Sequence, residues 1–154
     1  MYSEIELYVK KLYHSIDVKE PSQLDVNRLS KLLKVNLMRH SEFSLSLRLG
    51  NMIVLKSAKA STEWQTFGHE VCHLLRHVGN QASMHPLFVD LQEWQADYFA
   101  YHFCVPTFML EKLELPNCLN AARSIVAETF NVEPSFAQKR LEMWRNKNIS
   151  KGVI

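Results

Sequence analysis

The sequence predicts an α+β fold. It is mainly helical, with a small antiparallel three-stranded sheet packed on a helix carrying His69-Glu70-Val71-Cys72-His73 and a following helix carrying Glu93. Three observations point there. Apolar residues recur at helical spacing near both ends of the chain. Residues 43–47 alternate apolar and polar side chains, and Gly50-Asn51 then leads into the apolar run Met52-Ile53-Val54-Leu55. With 4 glycines and 5 prolines in 154 residues, the chain is neither loop-rich nor of low complexity.

The elements follow in order. Ile5, Leu7, Tyr8 and Leu12 alternate with Glu4, Glu6, Lys10 and Lys11, which makes residues 4–14 an amphipathic helix. Ser22 is placed to cap a second helix carrying Leu24, Val26, Leu29, Leu32 and Leu33. Val35–Met38 is a β-like run, Phe43, Leu45 and Leu47 alternate with Ser44, Ser46 and Arg48, and the third strand follows Gly50-Asn51. Three such short strands need helices over one face. Ser61 or Thr62 is placed to cap a long helix to about Arg76, ended by Gly79-Asn80. Pro86 suits the first turn of the next helix, which runs to about Cys104 before Pro106. Two further helices are expected over about 119–130 and 135–145.

The length predicts one domain over 1–154: residues 1–115 with the N-terminal helices, the sheet and the two motif helices, then a C-terminal helical extension over 116–154. A net charge of +2 excludes a strongly basic nucleic-acid binder and an acidic tail. The charged start lacks the apolar core of a secretion signal, and no stretch has the length of a membrane span. Cys72, Cys104 and Cys118 are odd in number and widely spaced, which reads as buried free thiols in a reducing cytoplasm.

The chemistry lies in His69-Glu70-Val71-Cys72-His73. On a helix, residues four apart are separated by about 40° around the axis and about 6 Å along it. His69 and His73 can therefore reach one metal ion. Glu70 sits at the rim of that face, where it can reach a water on the ion as general base. The competing reading is a core helix with two stacked histidines. A catalytic zinc takes three protein ligands. A third histidine in the pattern H-E-x-x-H-x-x-G-x-x-H is ruled out, because Arg76 and Gly79 stand at the required positions. His77 is two turns from His69, about 12 Å along the axis, too far to share its ion easily, so it belongs outside the ligand set. Glu93 and Asp97, four apart on a later helix, suit a third ligand and a hydrogen-bond partner for the distal nitrogen of a ligand histidine. An exposed acidic pair is the alternative.

These residues resemble the ImmA/IrrE family of metallopeptidases. The resemblance rests on Phe67-Gly68-His69-Glu70-Val71-Cys72-His73-Leu74, then Glu93-x-x-Ala96-Asp97-x-Phe99-Ala100, then Phe103-Cys104-Val105-Pro106. A segment Val126-Ala127-x-x-Phe130-x-Val132, with Arg140-Leu141 beyond it, extends the match, which covers roughly Leu47 to Leu141. The run ending at Pro106 is the weaker part. The family more often has Leu-Leu-Met-Pro there. The resemblance implies a gluzincin-like, zinc-dependent endopeptidase that cleaves a helix-turn-helix transcriptional repressor and so derepresses mobile-element or stress genes. Carried over, His69, His73 and Glu93 are the metal ligands, Glu70 is the catalytic base and Asp97 is a supporting partner. Manganese or iron are open alternatives to zinc. His77, His85, Tyr98, Tyr101 and His102 are open as stabilisers of the oxyanion.

The C-terminal helices could pass for a helix-turn-helix, but Glu128, Glu133 and Glu142 offset Lys139, Arg140, Arg145, Lys147 and Lys151, so no direct nucleic-acid contact is expected. Two other functions stay open: a non-enzymatic, metal-stabilised anti-repressor, and a toxin-like partner of a helix-turn-helix antitoxin. Oligomeric state, substrate identity and activating signal are open.

Overall fold

The computed structural model describes residues 1–47, 50–77 and 84–149. The expected Gly79-Asn80 helix stop, Arg48 and Lys151 lie outside them. The first helix, α1 (Glu4–Ser15), starts at a capping box: the Ser3 side chain accepts from the Glu6 amide and the Glu6 carboxylate accepts from the Ser3 amide. Its buried face holds Val9 and Tyr13, and the Tyr13 hydroxyl donates to the Phe103 carbonyl at 2.7 Å.

Ser22 is not a helix cap. It lies in the short turn Pro21–Gln23, where the Gln23 side chain accepts from the amides of Lys19 and Glu20. Asp25 instead caps α2 (Val26–Leu32), accepting from the Arg28 amide at 2.8 Å.

The sheet contains β1 (Asn36–His40), β2 (Leu45–Leu47) and β3 (Met52–Lys56) in the order β1-β3-β2. It is mixed rather than antiparallel throughout. β2 pairs antiparallel with β3, but β1 pairs parallel with it, with Leu37 opposite Ile53. Burial explains the order. Ile53, Val54 and Leu55 are all buried, so β3 belongs in the centre, while β1 and β2 have exposed positions that suit edges. The turn into β3 is as expected, with positive φ at both Gly50 and Asn51.

Helix α3 (Ala60–Arg76) begins after Lys59, with no side-chain cap. Ser61 and Thr62 do not cap it. Their hydroxyls donate to Glu133, which Lys59 also meets, and so tie the start of α3 to the C-terminal region. Helix α4 (Pro86–Cys104) starts at Pro86, with His85 accepting from the Leu87 amide. α3 and α4 approach closely at Gly68. A Cβ there would sit 2.9 Å from Cys104 Sγ and 3.2 Å from a Phe103 ring carbon.

A single turn, α5 (Thr107–Leu110), was not evident in the sequence. It precedes α6 (Leu119–Phe130) and α7 (Pro134–Ile149), which extends beyond the expected 135–145. Arg140 is buried, with Nε donating to the Val105 carbonyl and Nη2 to the Thr107 hydroxyl. It is therefore not part of an exposed basic face. Cys72 and Cys104 are buried as expected, but Cys118 is exposed because it precedes the first turn of α6 at the surface. Among the described residues, no helix is long and apolar enough to cross a membrane.

Candidate metal centre

The site is built on α3 and α4. His69 and His73 stand one turn apart on α3, and their Nε2 atoms are 3.0 Å apart. Glu93 reaches over from α4, with Oε2 3.2 Å from His69 Nε2 and Oε1 3.3 Å from His73 Nε2. A tetrahedral zinc with bonds of about 2.0–2.1 Å separates its ligand atoms by about 3.3 Å. The three side chains thus already stand near the spacing that such an ion requires. Two imidazole nitrogens and a carboxylate oxygen are also a donor set that zinc accepts. Among the described residues, this is the group of three such side chains whose ligand atoms lie within 4.8 Å of one another.

Hydrogen bonds on the far side of each imidazole fix its tautomer. His69 Nδ1 lies 2.8 Å from Asp97 Oδ1. An ionised carboxylate only accepts, so the proton sits on Nδ1 and the Nε2 lone pair faces Glu93 and His73. His73 is held through a longer chain. Its Nδ1 lies 2.8 Å from His77 Nδ1, and His77 Nε2 lies 3.2 Å from Gln95 Oε1. The Gln95 carbonyl oxygen accepts from His77 Nε2, which leaves His77 Nδ1 as an acceptor. His73 Nδ1 then donates, and the His73 Nε2 lone pair also faces the site. Burial pushes His73 down to about 4, against the pull of Glu93, so its imidazole is neutral at physiological pH and able to ligate.

Glu70 is buried beside this group. Its carboxyl is raised by burial, opposed by His69 and by hydrogen bonds with Ser46 of β2, and raised further by Glu93. A carboxyl displaced upward in this way suits a proton acceptor and donor nearer neutral pH. A cavity of about 420 Å³ opens alongside, lined by Gln65, Thr66, His69, Glu70, Asp97, Ala100, Tyr101 and Phe136.

The structure therefore brings together His69, Glu70, His73, Glu93 and Asp97. His77 stands outside the ligand set, on His73. Of the other four candidates, Tyr101 lines the cavity beside Glu70, and its ring packs on Phe136 with centroids 4.4 Å apart. His85 caps α4, and Tyr98 and His102 line a different cavity with Glu6 and Arg140. Sequence reasoning missed Gln95, Ser46 and Phe136. Gln95 is one residue past Trp94 with no motif to mark it, and Ser46 and Phe136 reach the site only through tertiary packing.

Comparison with known proteins identifies the family. Residues 22–142 match the peptidase M78 family, described as the IrrE N-terminal-like domain. The chain is 41% identical over 148 residues to the phage-like element PBSX protein XkdA of Bacillus subtilis (strain 168), covering 94% of this chain and 75% of that protein. It is 39% identical over 148 residues to the uncharacterized protein YqaB of the same organism, covering 94% of this chain and 86% of that one. With the match spanning both motif helices and the sheet between its ends, the chain belongs to the ImmA/IrrE-type metallopeptidase family.

Proposed function

We propose that this protein is a zinc-dependent endopeptidase of the cytoplasm, and that its substrate is a helix-turn-helix transcriptional repressor whose cleavage derepresses mobile-element or stress genes. One observation carries the enzymatic part: three ligand atoms, one each from His69, His73 and Glu93, lie within 4.8 Å of one another while a buried carboxyl, Glu70, stands beside them and outside the set. A purely structural zinc site is normally closed by four protein ligands and has no use for such a group. The likeness to a protein named for a phage-like element supports the mobile-element setting.

His69, His73 and Glu93 would hold the ion. A zinc ion held there would supply a Lewis acid for the scissile carbonyl and for the attacking water. Glu70 accepts a proton from that water and passes it to the leaving amide nitrogen. Asp97 and the His77–Gln95 pair hold the two imidazoles in the ligating tautomer. Strand β2 pairs on one side with β3 and lies at the sheet edge, beside Glu70 through Ser46. An extended peptide can add to that edge as a further strand, with its backbone aligned past the carboxyl.

The test is incubation of the zinc-loaded protein with any helix-turn-helix repressor encoded beside it, read by intact mass, with Glu70→Gln in parallel. Two defined fragments from wild type and none from Glu70→Gln are expected. A stable complex from both proteins and fragments from neither would replace the peptidase with an anti-repressor.

A further inference from the structure

Helix α4 carries an apolar stripe on the face turned away from the core. Leu87, Phe88, Leu91 and Trp94 are 71%, 64%, 48% and 61% exposed, while Ala96, Phe99, Ala100 and Phe103 bury the opposite face. Leu87, Leu91 and Trp94 fall within about 60° around the axis, and Phe88 widens the stripe by about 60° more. Trp94 is stiffened by its stack on Tyr98, with centroids 5.5 Å apart. The stripe ends next to the metal centre, because Glu93 precedes Trp94 on the same helix.

Size and charge narrow the occupant. A four-residue patch of this exposure is on the order of 400 Å², within the range where surface patches are often functional and about half of what each partner gives a stable dimer. That area suits one face of a single helix better than a second copy of this chain. The flank is acidic. Asp90 and Asp97, both exposed, line the edge beyond Trp94, and α4 contains no lysine or arginine. Arg76 of α3 lies over the Tyr8 ring and lines a cavity with Trp94 and Tyr98, so the acidic flank is that of α4 itself. A protein with a net charge of +2 thus presents one locally acidic, apolar helix face.

We propose that this face of α4 is an exosite that docks a basic amphipathic helix of the substrate protein, its apolar side on Leu87, Phe88, Leu91 and Trp94 and its cationic flank along Asp90 and Asp97. The role as a substrate exosite rests on the endopeptidase reading above. A helix with basic and apolar faces is what a DNA-binding protein offers. Docking it here would leave a neighbouring extended segment free to reach Glu70. Selectivity would then come from a contact outside the cleaved bond.

The test uses the full chain as Glu70→Gln, so that bound protein stays uncut, and two labelled amphipathic helices, one of leucine and lysine and one of leucine and glutamate. The leucine–lysine helix is expected to bind and the leucine–glutamate helix to bind at least about tenfold more weakly. Replacing Leu87, Phe88 and Leu91 together by serine should weaken binding about tenfold or more, and Asp90→Lys should weaken the leucine–lysine helix while favouring the other. Zinc stoichiometry and melting temperature should be unchanged in both variants, since these side chains lie on the surface. Equal binding of the two helices, or undiminished binding by the triple variant, would overturn the exosite. So would a wild-type dimer that the triple variant breaks, which would assign the face to a second copy. The neighbouring repressor separates the two readings. If the triple variant still binds and the otherwise wild-type enzyme carrying it still cuts the repressor at the normal rate, the exosite fails and the peptidase reading stands. If the repressor is neither bound nor cut by the intact chain, yet the leucine–lysine helix binds as expected, the substrate assignment fails and the docking face stands.

Discussion

Removing the ring nitrogens of His77 tests whether the chain of hydrogen bonds behind His73 matters to the metal. In His77→Phe, His73 Nδ1–H loses its acceptor at 2.8 Å in a setting where only 11% of the His73 side chain is exposed. A buried donor left without a partner costs about 1–3 kcal/mol, and 1.4 kcal/mol is tenfold in affinity. Zinc affinity should therefore fall about 10- to 100-fold, the range typical for loss of a ligand's hydrogen-bond partner. Asp97→Ala should cost less, about tenfold or below, although it removes a charge. The Asp97 side chain is 71% exposed, so solvent screens it and water can take its place on His69 Nδ1. Gln95→Leu should fall between wild type and His77→Phe, because it frees the His77 tautomer without removing the ring nitrogens. The assay is competition for zinc against a chromophoric chelator at neutral pH, with metal-free melting temperatures compared to exclude unfolding. Affinity in His77→Phe within twofold of wild type would refute the relay. An Asp97→Ala loss larger than the His77→Phe loss would refute the argument that burial outweighs charge here.

Three further outcomes follow from the rest of the molecule. Burial alone would raise the Glu6 carboxyl, but Lys147, the Ser3 amide and Thr107 outweigh it and hold it down at about 2, against an ordinary 4.5. Such a depression is worth about 3 kcal/mol of stability, present above pH 4.5 and lost as pH falls toward 2. Glu6→Gln should be destabilised by about that much at pH 7 and should lack that part of the acid dependence, as read by urea unfolding across pH. Thiol labelling of the folded protein should modify Cys118 alone. Backbone hydrogen bonds from Ala121 and Asn120 lower its thiol, whereas burial pushes Cys72 up to about 12 and Cys104 well above the usual range. Rapid labelling of more than one thiol per chain would contradict this. Gly68→Ala should lower the melting temperature by roughly 2–10 °C, from about 1–3 kcal/mol of overpacking against buried Cys104 and Phe103. It should also weaken zinc binding, since α4 carries Glu93; an unchanged affinity would mean that the helix spacing does not set the ligand geometry.

Helical content was legible because its signals are local. The 3.6-residue period, Pro86 at a helix start and the small residues Ala96 and Ala100 all act within a few turns. The misread features depend on what lies elsewhere in the chain. β1 runs parallel to β3 because β3 is buried across Ile53, Val54 and Leu55 and takes the central position. A hairpin signal at Gly50-Asn51 fixes the pairing of β2 with β3 but leaves open which side of that pair β1 joins. Ser61 and Thr62 look like caps for the same reason: their hydroxyls suit a helix start, but a carboxylate from Glu133, some seventy residues away, takes them first.

The site divides along the same line. A spacing of four on one helix places His69 and His73 on one face whatever the rest of the protein does, and the same holds for Glu93 and Asp97. What sequence could not decide was whether the two helices meet with those faces together. Gly68 allows the close approach that permits it, because any larger residue would meet Cys104 and Phe103. The residues that tune the site, Gln95 behind His77 and Ser46 beside Glu70, are ordinary polar side chains with no spacing rule to mark them. Their contribution is geometric. Gln95 decides which nitrogen of His77 carries the proton, and through it which nitrogen of His73 is left to bind. The histidine pair is thus written in a five-residue motif, while the protonation state that would let it hold a metal depends on a neighbouring helix.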